Sequence, residues 1–316
     1  MKVLVLDNVN EVAERNLKSA GLEVEVKKSQ SEDELCQIIN DYDAVILRNT
    51  TKITPKVIET ADKLKVIARA GVGVDNIDVE DATKKGIWVV NSPNGNTEAT
   101  AEHTIAMMLA VARNIPQGYD NIREGKFDRS KFVGVELWGK TLGIAGFGKI
   151  GSRVAEIAKV LGMDIVVYDP YSTAEKVQKA GGKKVENIEE LLPLCDFITV
   201  HVPKNKDTVD LINSDNIYKI KKGARLINCA RGGIINEKAL IKALNDGHIA
   251  GAALDVFEAE PDIQNSVLYN CCPNLIIVPH LGASTVEAQI KVADDVSLQV
   301  ADVLAGKLPK TPVNKI

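Results

Sequence analysis

Short apolar or alternating runs and amphipathic segments take turns along nearly the whole chain. Strand-like runs fall at residues 2–6, 23–26, 44–47, 66–69 and 88–91. Between them, residues 11–20, 31–39, 55–60 and 78–85 carry helical spacing or helix-start signals. Ser31 followed by Glu34 has the form of a capping box, and Gly21 and Gly86 sit where helices end. This regular alternation predicts a doubly wound α/β unit over residues 1–96. The polar stretch Ser92-Pro93-Asn94-Gly95-Asn96 breaks it. Residues 97–114 then predict a long helix stopped by Pro116. Its apolar positions (Ile105, Met107, Met108, Leu109, Val111) spread around the helix, so it is expected to be buried on more than one side. His103, on that helix, reads by default as a satisfied buried histidine. Residues 117–137 show no clear element, and a connection of that length points to a functional segment or one covered by a second subunit.

Alternation resumes at Gly139. Strands are expected at 141–145, 164–168, 197–200, 225–228, 251–254 and 275–278, with helices at 152–161, 188–192, 213–219 and 237–246. A last helix, 286–305, is expected to start at a Ser284 cap and end before Gly306. It follows the sheet without adding a strand, so it is expected to return to the first domain. That domain would then be discontinuous, 1–96 with 285–316, around an inserted domain at 97–284.

The inserted domain opens on a recognisable turn. Residues 141–145 are an apolar run, Gly146, Gly148 and Gly151 follow, a helix comes next, and a second strand ends at Asp169. Strand, glycine turn, helix, strand and acid form a dinucleotide-binding fingerprint. Gly146 permits the tight turn, Gly148 the approach of a pyrophosphate, and Gly151 close packing of helix on strand. The helix N-terminus offers its N–H groups to the phosphates. Asp169 would accept hydrogen bonds from the adenosine ribose hydroxyls and repel a 2′-phosphate, and Pro170-Tyr171 brings no arginine to welcome one. NAD is therefore expected over NADP.

Composition adds mainly exclusions. The 316 residues suffice for two domains, and 45% hydrophobic with 26% charged residues is ordinary for a globular chain. A net charge of −4 without a long basic block argues against a nucleic-acid partner, and no segment approaches membrane-spanning length. The opening apolar run is too short for a signal peptide and ends in Asp7. Five cysteines (Cys36, Cys195, Cys229, Cys271, Cys272) match no metal-site spacing, so no metal is expected. Reduced thiols in a cytoplasmic protein are the simpler expectation.

Three polar groups close three consecutive predicted strands. Arg231 follows the strand ending at Asn228, Glu260 the next, and His280 the last. Singly, each has a bland explanation: a surface arginine, a solvated glutamate before proline, a structural histidine. Jointly, beside a dinucleotide turn, they suit oxidation of a 2-hydroxy acid. His280 would take the hydroxyl proton as hydride leaves the same carbon. Glu260, if paired with it, would favour the imidazolium and fix its tautomer. Arg231 would grip the substrate carboxylate.

The motifs ILRNTTKIT, RAGVGVDNID, SPNGNTEATAEHTIAMMLAVARNIPQ, GKFDRSKFVGVELWGKTLGIAGFGKIG, NCARGGIINEKAL, GAALDVFEAEP and PHLGAST, covering nearly the whole chain, resemble the D-isomer-specific 2-hydroxyacid dehydrogenases. RAGVGVDNID, PNGNT and KFDRSKF favour the phosphoglycerate branch. The resemblance implies two doubly wound parallel-sheet α/β domains, a Rossmann NAD-binding domain inserted in a flavodoxin-like substrate domain. It implies Arg231, Glu260 and His280 as the catalytic trio, and NAD contacts at Lys149, Ile150, Asp169, Val202, Cys229 and Asp255. Val202 stands where relatives often have threonine, which leaves a backbone contact intact and removes a side-chain one. Val72 and Gly73 would present amides to the substrate carboxylate. Arg48 and Arg69 are expected near the substrate phosphate and carboxylate; Lys52 and Arg129 read equally well as solvated charges. A homodimer or higher homo-oligomer through the cofactor domain is implied. Longer relatives carry C-terminal serine-binding domains; none follows Pro312 to Ile316, so feedback through such a domain is not expected. Two rivals stay open: a sister enzyme for glyoxylate or hydroxypyruvate, and a NAD-sensing corepressor-like binding protein.

Overall fold

The computed structural model describes residues 1–316. In chain order its elements are β1 (Lys2–Val5), α1 (Val12–Ser19), β2 (Glu23–Val26), α2 (Glu32–Ile38), β3 (Ala44–Leu47), α3 (Pro55–Glu59), β4 (Val66–Arg69), α4 (Val79–Lys84) and β5 (Trp88–Asn91). These are followed by α5 (Thr97–Arg113), α6 (Ile115–Arg123), β6 (Thr141–Ala145), α7 (Lys149–Val160), β7 (Asp164–Tyr168), α8 (Ala174–Lys179), β8 (Gly182–Val185) and α9 (Ile188–Leu191). The remainder is β9 (Phe197–Val200), β10 (Arg225–Asn228), α10 (Glu237–Asn245), β11 (Gly251–Leu254), β12 (Leu275–Ile277) and α11 (Val286–Leu304). No helix is long and apolar enough to cross a membrane.

The chain divides into two compact units, Met1–Asn96 with Ala283–Ile316, and Thr97–Gly282. The first holds a five-stranded parallel sheet in the order β2-β1-β3-β4-β5. Strand periodicity sorts its side chains onto two faces. Val3, Val5, Ala44, Ile46, Val66 and Ala68 pack under α1 and α11, the latter through Val292, Val296 and Val300. Leu4, Val45, Leu47, Ile67 and Val89 face α2, α3 and α4. A parallel sheet covered on both sides explains why β3 is apolar at every position.

The second unit holds seven parallel strands in the order β12-β11-β10-β9-β6-β7-β8. Chain order reverses between β6 and β9, the crevice where doubly wound sheets bind ligands at their carboxyl ends. Leu142, Ile144, Phe197, Ile227 and Ala253 lie beneath α5 and α7, while Ile198, Leu226, Ala252 and Leu254 pack with α10.

Several expectations from the sequence need correction. Residues 117–137 are not one featureless connection. Asn114 turns left-handed (φ 53°) and ends α5, and Pro116 stands in the first turn of α6. That helix buries no residue, so no core pattern announced it. The helix expected at 213–219 is reduced to a single 3-10 turn, Ile217–Lys219. Asn216 Oδ1 accepts the Asn213 N–H and Asn213 Oδ1 accepts the Asp215 N–H, local bonds that compete with a helical ladder. The last helix is capped by Thr285, whose Oγ1 accepts the Ala288 N–H at 3.1 Å, not by Ser284. The unanticipated α8 and β8 are lysine-rich, as suits an edge strand that must not pair further.

Candidate functional site

The glycine turn leaves the end of β6. Gly146 has φ +97°, and a Cβ there would stand 2.7 Å from the His201 carbonyl oxygen. A Cβ on Gly151 would stand 2.1 Å from the Gly146 oxygen, so both positions demand glycine for close approach. A Cβ on Gly148 would meet nothing, which marks the open side of the turn. Gly148 is also the N-cap of α7 and makes no side-chain cap. The first bond up the helix runs from Ser152 N–H to the Gly148 carbonyl at 3.0 Å. The amides of Lys149, Ile150 and Gly151 therefore precede the ladder and suit an anion.

Asp169, 9% exposed, follows β7. Its Oδ2 accepts the Phe147 N–H within the turn and its Oδ1 accepts the Tyr171 N–H at 2.7 Å. Each oxygen retains acceptor capacity for a ribose hydroxyl. The Val202 side chain lines the same turn, its Cγ1 2.9 Å from where a Gly146 Cβ would be. A cradle closed to side chains, unladdered amides and an acid at the next strand end fit a dinucleotide pyrophosphate and ribose.

The three groups singled out at strand ends lie in the loops that follow β10, β11 and β12, which are adjacent in the sheet. His280 Nδ1 lies 2.8 Å from Glu260 Oε2, with side-chain exposures of 43% and 29%. Glu260 Oε1 accepts the Phe257 N–H at 2.8 Å, which fixes the carboxylate plane. Glu260 precedes Pro261 through a cis peptide bond. Arg231 is part-buried after β10, and its Nη1 donates to the Ala230 carbonyl at 2.7 Å. Asn228 Nδ2 donates to the Arg231 carbonyl at 2.8 Å and its Oδ1 accepts the Ala230 N–H, so the arginine turn is braced by its own strand.

Asp255, 1% exposed, accepts the Leu281 N–H on Oδ1 at 2.6 Å and the Gly282 N–H on Oδ2 at 2.9 Å. Burial opposes its ionisation, but the contact with His103 and these two amides outweigh burial and hold its carboxyl below the ordinary range. Burial, helped by the Asp255 charge, pushes the Cys229 thiol up to about 12. A His103 ring nitrogen, Cys229 Sγ and an Asp255 oxygen lie within 4.8 Å of one another, a donor set zinc can use. Here the thiol is held protonated and both carboxylate oxygens are already engaged.

In the first unit, Arg48 and Arg69 follow or end the neighbouring strands β3 and β4. Arg69 is folded back, its Nη1 donating to the Ala70 carbonyl at 3.0 Å and its guanidinium lying over Gly71. Val72 and Gly73 are part-buried in the loop after β4, where Asn91 Nδ2 donates to the Val72 carbonyl at 2.6 Å. Lys52 is exposed, and Arg129 is exposed in the second unit. Sequence reasoning passed over the residues that shape the Arg48 loop. Asp7 accepts the N–H groups of Arg48 and Thr51, both at 3.0 Å, and the Thr51 hydroxyl at 2.6 Å. Asn76 Nδ2 donates to the carbonyls of Arg48 and Thr51 at 2.8 and 2.7 Å. An acid ending the first strand and an asparagine in VDNID were the available signals.

Residues 105–282 match the family model described as D-isomer specific 2-hydroxyacid dehydrogenase, NAD binding domain. The chain is 49% identical over 313 residues to a D-3-phosphoglycerate dehydrogenase of Synechocystis sp., covering 99% of this chain and 56% of that protein. It is 49% identical over 314 residues to the enzyme of that name from Methanocaldococcus jannaschii, covering 59% of it. The chain thus spans little more than half the length of these curated relatives. Among solved structures, the TT0316 protein from Thermus thermophilus matches with a TM-score of 0.91 at 35% identity, over 99% of this chain and 100% of that one. A D-lactate dehydrogenase from Aquifex aeolicus, complexed with NAD and lactic acid, matches at 0.87 and 28%, over 99% of both chains.

Proposed function

The chain belongs to the D-isomer specific 2-hydroxyacid dehydrogenase family, and on that premise we propose that it oxidises 3-phospho-D-glycerate to 3-phosphohydroxypyruvate with NAD, the first step toward L-serine. The observation that carries the chemistry is the 2.8 Å contact between His280 Nδ1 and Glu260 Oε2 beside the Arg231 turn. The substrate choice rests on the 49% identity to D-3-phosphoglycerate dehydrogenases and on two arginines, Arg48 and Arg69, at adjacent strand ends.

The amides of Lys149, Ile150 and Gly151 would hold the dinucleotide pyrophosphate and Asp169 its ribose, with Val202, Cys229 and Asp255 as further contacts. Bound NAD supplies the hydride acceptor. Glu260 holds the His280 proton on Nδ1, which leaves Nε2 with a lone pair for the substrate hydroxyl proton. The imidazolium formed is stabilised by the same carboxylate. Arg231 grips the substrate carboxylate with a planar fork and draws negative charge toward the carbonyl oxygen forming next to it. By the family resemblance, the amides of Val72 and Gly73 would serve a substrate carboxylate and the guanidiniums of Arg48 and Arg69 its phosphate.

Five free cysteines support a reducing, cytoplasmic setting, and the apolar face of α6 supports a homodimer. The test is NADH consumption with 3-phosphohydroxypyruvate beside hydroxypyruvate, glyoxylate and 2-oxoglutarate. Preference for the phosphorylated acid, lost in Arg48→Ala with Arg69→Ala, is expected. Equal or better turnover of glyoxylate or hydroxypyruvate would make this a sister enzyme, and NADH binding without turnover of any acid would make it a cofactor-sensing protein.

A further inference from the structure

The backbone that carries His280 is held mainly by Asp255, with the His280 N–H shared with the Val278 carbonyl at 3.0 Å. His280 itself sits at φ +53°, a left-handed conformation that residues with side chains rarely adopt unless their surroundings enforce it. Three successive amides end on Asp255. The His280 N–H reaches its carbonyl at 3.0 Å, the Leu281 N–H its Oδ1 at 2.6 Å, and the Gly282 N–H its Oδ2 at 2.9 Å. Asp255 is in turn tied to the neighbouring strand, its own N–H donating to the Asn228 carbonyl at 2.8 Å. The seat works only while both carboxylate oxygens accept, which means while Asp255 is ionised.

A carboxylate 1% exposed needs a partner for its charge. The imidazole of His103, on α5, supplies one, with Nε2 3.1 Å from Asp255 Oδ1. The approach is close without the alignment of a regular hydrogen bond, and at that distance from an anion a ring N–H is favoured over a second acceptor. The Cys229 thiol alongside keeps its proton, and its S–H is a weaker donor than an imidazole N–H.

We infer that His103 is a positioning residue for proton transfer: its Nε2–H steadies the Asp255 carboxylate, and Asp255 seats the left-handed turn that aims His280. The inference rests on the role of His280 proposed above. His103 touches the reaction only through Asp255, so its loss mis-aims the base without removing any group that binds the phosphorylated end of the substrate.

Two full-chain variants test this, with His280→Asn alongside. His103→Leu keeps bulk and removes the donor; His103→Gln returns an amide donor near the old Nε2. Turnover, both KM values, NADH affinity by fluorescence and thermal midpoint are measured for each. His103→Leu is expected to lower kcat by at least about tenfold while the substrate KM changes by less than about threefold. His103→Gln is expected to recover kcat to within about threefold of the parent. An unchanged kcat in His103→Leu overturns the inference. So does a kcat in His103→Gln as low as in His103→Leu, or a loss that tracks the thermal midpoint in both. If His103→Leu does not fold, the kcat of His103→Gln decides alone: near-parent turnover supports the inference and a tenfold loss with intact folding overturns it. Retained turnover in His280→Asn removes the proposed base and this inference together, whereas loss there with unaffected His103→Leu removes only the latter.

Discussion

His280 Nδ1 and Glu260 Oε2 are 2.8 Å apart, and the other Glu260 oxygen is occupied by the Phe257 N–H. The carboxylate therefore has one orientation and one use: it accepts from the imidazole and dictates which ring nitrogen carries the proton. Glu260→Gln reverses that. The amide oxygen would keep the Phe257 bond, leaving NH2 to face Nδ1. The ring would then accept on Nδ1 and carry its proton on Nε2, the wrong tautomer for a base. A fall in kcat of about 10²–10⁴-fold is expected, with NADH affinity nearly unchanged. Stopped-flow turnover and NADH fluorescence titration measure the two. A kcat within threefold of the parent would remove Glu260 from the proton-transfer step.

Asp169 is placed to serve the turn and a cofactor at once, because its oxygens take the Phe147 and Tyr171 amides and keep acceptor capacity. Asp169→Ala removes the charge that would repel a 2′-phosphate and the acceptor for ribose. Loss of a charge-assisted bond, about 1.5–3 kcal/mol, corresponds to NAD binding weaker by about 10–100-fold. NADP binding should change far less, so the NAD-to-NADP ratio narrows. Parallel Kd measurements check it, and an unaltered ratio would contradict the ribose assignment.

The loop bearing Arg48 hangs on Asp7. This residue, 5% exposed and at φ 59°, holds two amides and a hydroxyl. Asp7→Ala strands three donors and should cost about 2–4 kcal/mol of stability in the first unit. Asp7→Gly loses the same bonds but relieves the left-handed backbone, and should be milder by about 1 kcal/mol. Denaturant unfolding of both variants reads the difference, and a raised KM for a phosphorylated substrate should accompany it. Equal stability of Asp7→Ala and the parent would show that the loop holds itself.

Protonation of His201 should weaken the fold at mildly acid pH. Burial lowers its pKa from 6.5 to about 4, its Nε2 lies 3.0 Å from Thr199 Oγ1, and its carbonyl backs the Gly146 turn. Between those values the unfolded chain binds a proton that the folded one does not. Stability from this group is complete above pH 6.5, falls as pH drops, and levels off below pH 4. The loss should approach about 3 kcal/mol. Comparing unfolding of the parent and His201→Asn across that window isolates it. Identical pH slopes would mean His201 ionises freely in the folded state.

The strands were legible in the sequence wherever a parallel sheet buries both faces, as at β3, where only an apolar run survives, and at β9, where Thr199 is the one polar residue. The glycine turn was legible because Gly146 and Gly151 have no room for a side chain. What escaped reading depends on contacts between residues far apart in the chain. His103 on α5 meets Asp255 after β11, with most of the second sheet built from the chain between them, and no periodicity encodes that pairing. Asp7 looked like the end of a strand because its partners, Arg48 and Thr51, come from another loop. The 213–219 segment had helical composition, but its asparagines bond locally to the backbone. The β8 edge strand, GKKV, is polar because one side needs no neighbour.

The exposed face of α6 gives the last expectation. Ile115, Tyr119 and Ile122 stand at helical spacing with exposures of 55%, 61% and 58%, and Phe127 and Val133 continue the apolar surface at 77% and 81%. Gln117 Nε2 donates to the Pro273 carbonyl at 3.0 Å, so the start of the helix is fastened to its own unit while its apolar side faces outward. Exposed apolar side chains on a helix that buries none have no core to serve and would suit an interface between copies. If a second copy covers it, Ile122→Glu with Phe127→Ser places charge and polarity where two apolar surfaces meet. The pair should shift sedimentation from dimer toward monomer and weaken association by about 10²-fold or more. Each unit's own core is untouched by these positions, so far-ultraviolet circular dichroism should not change. A parent that sediments as a monomer, or a double variant that stays dimeric, would mean that this surface is not where copies meet.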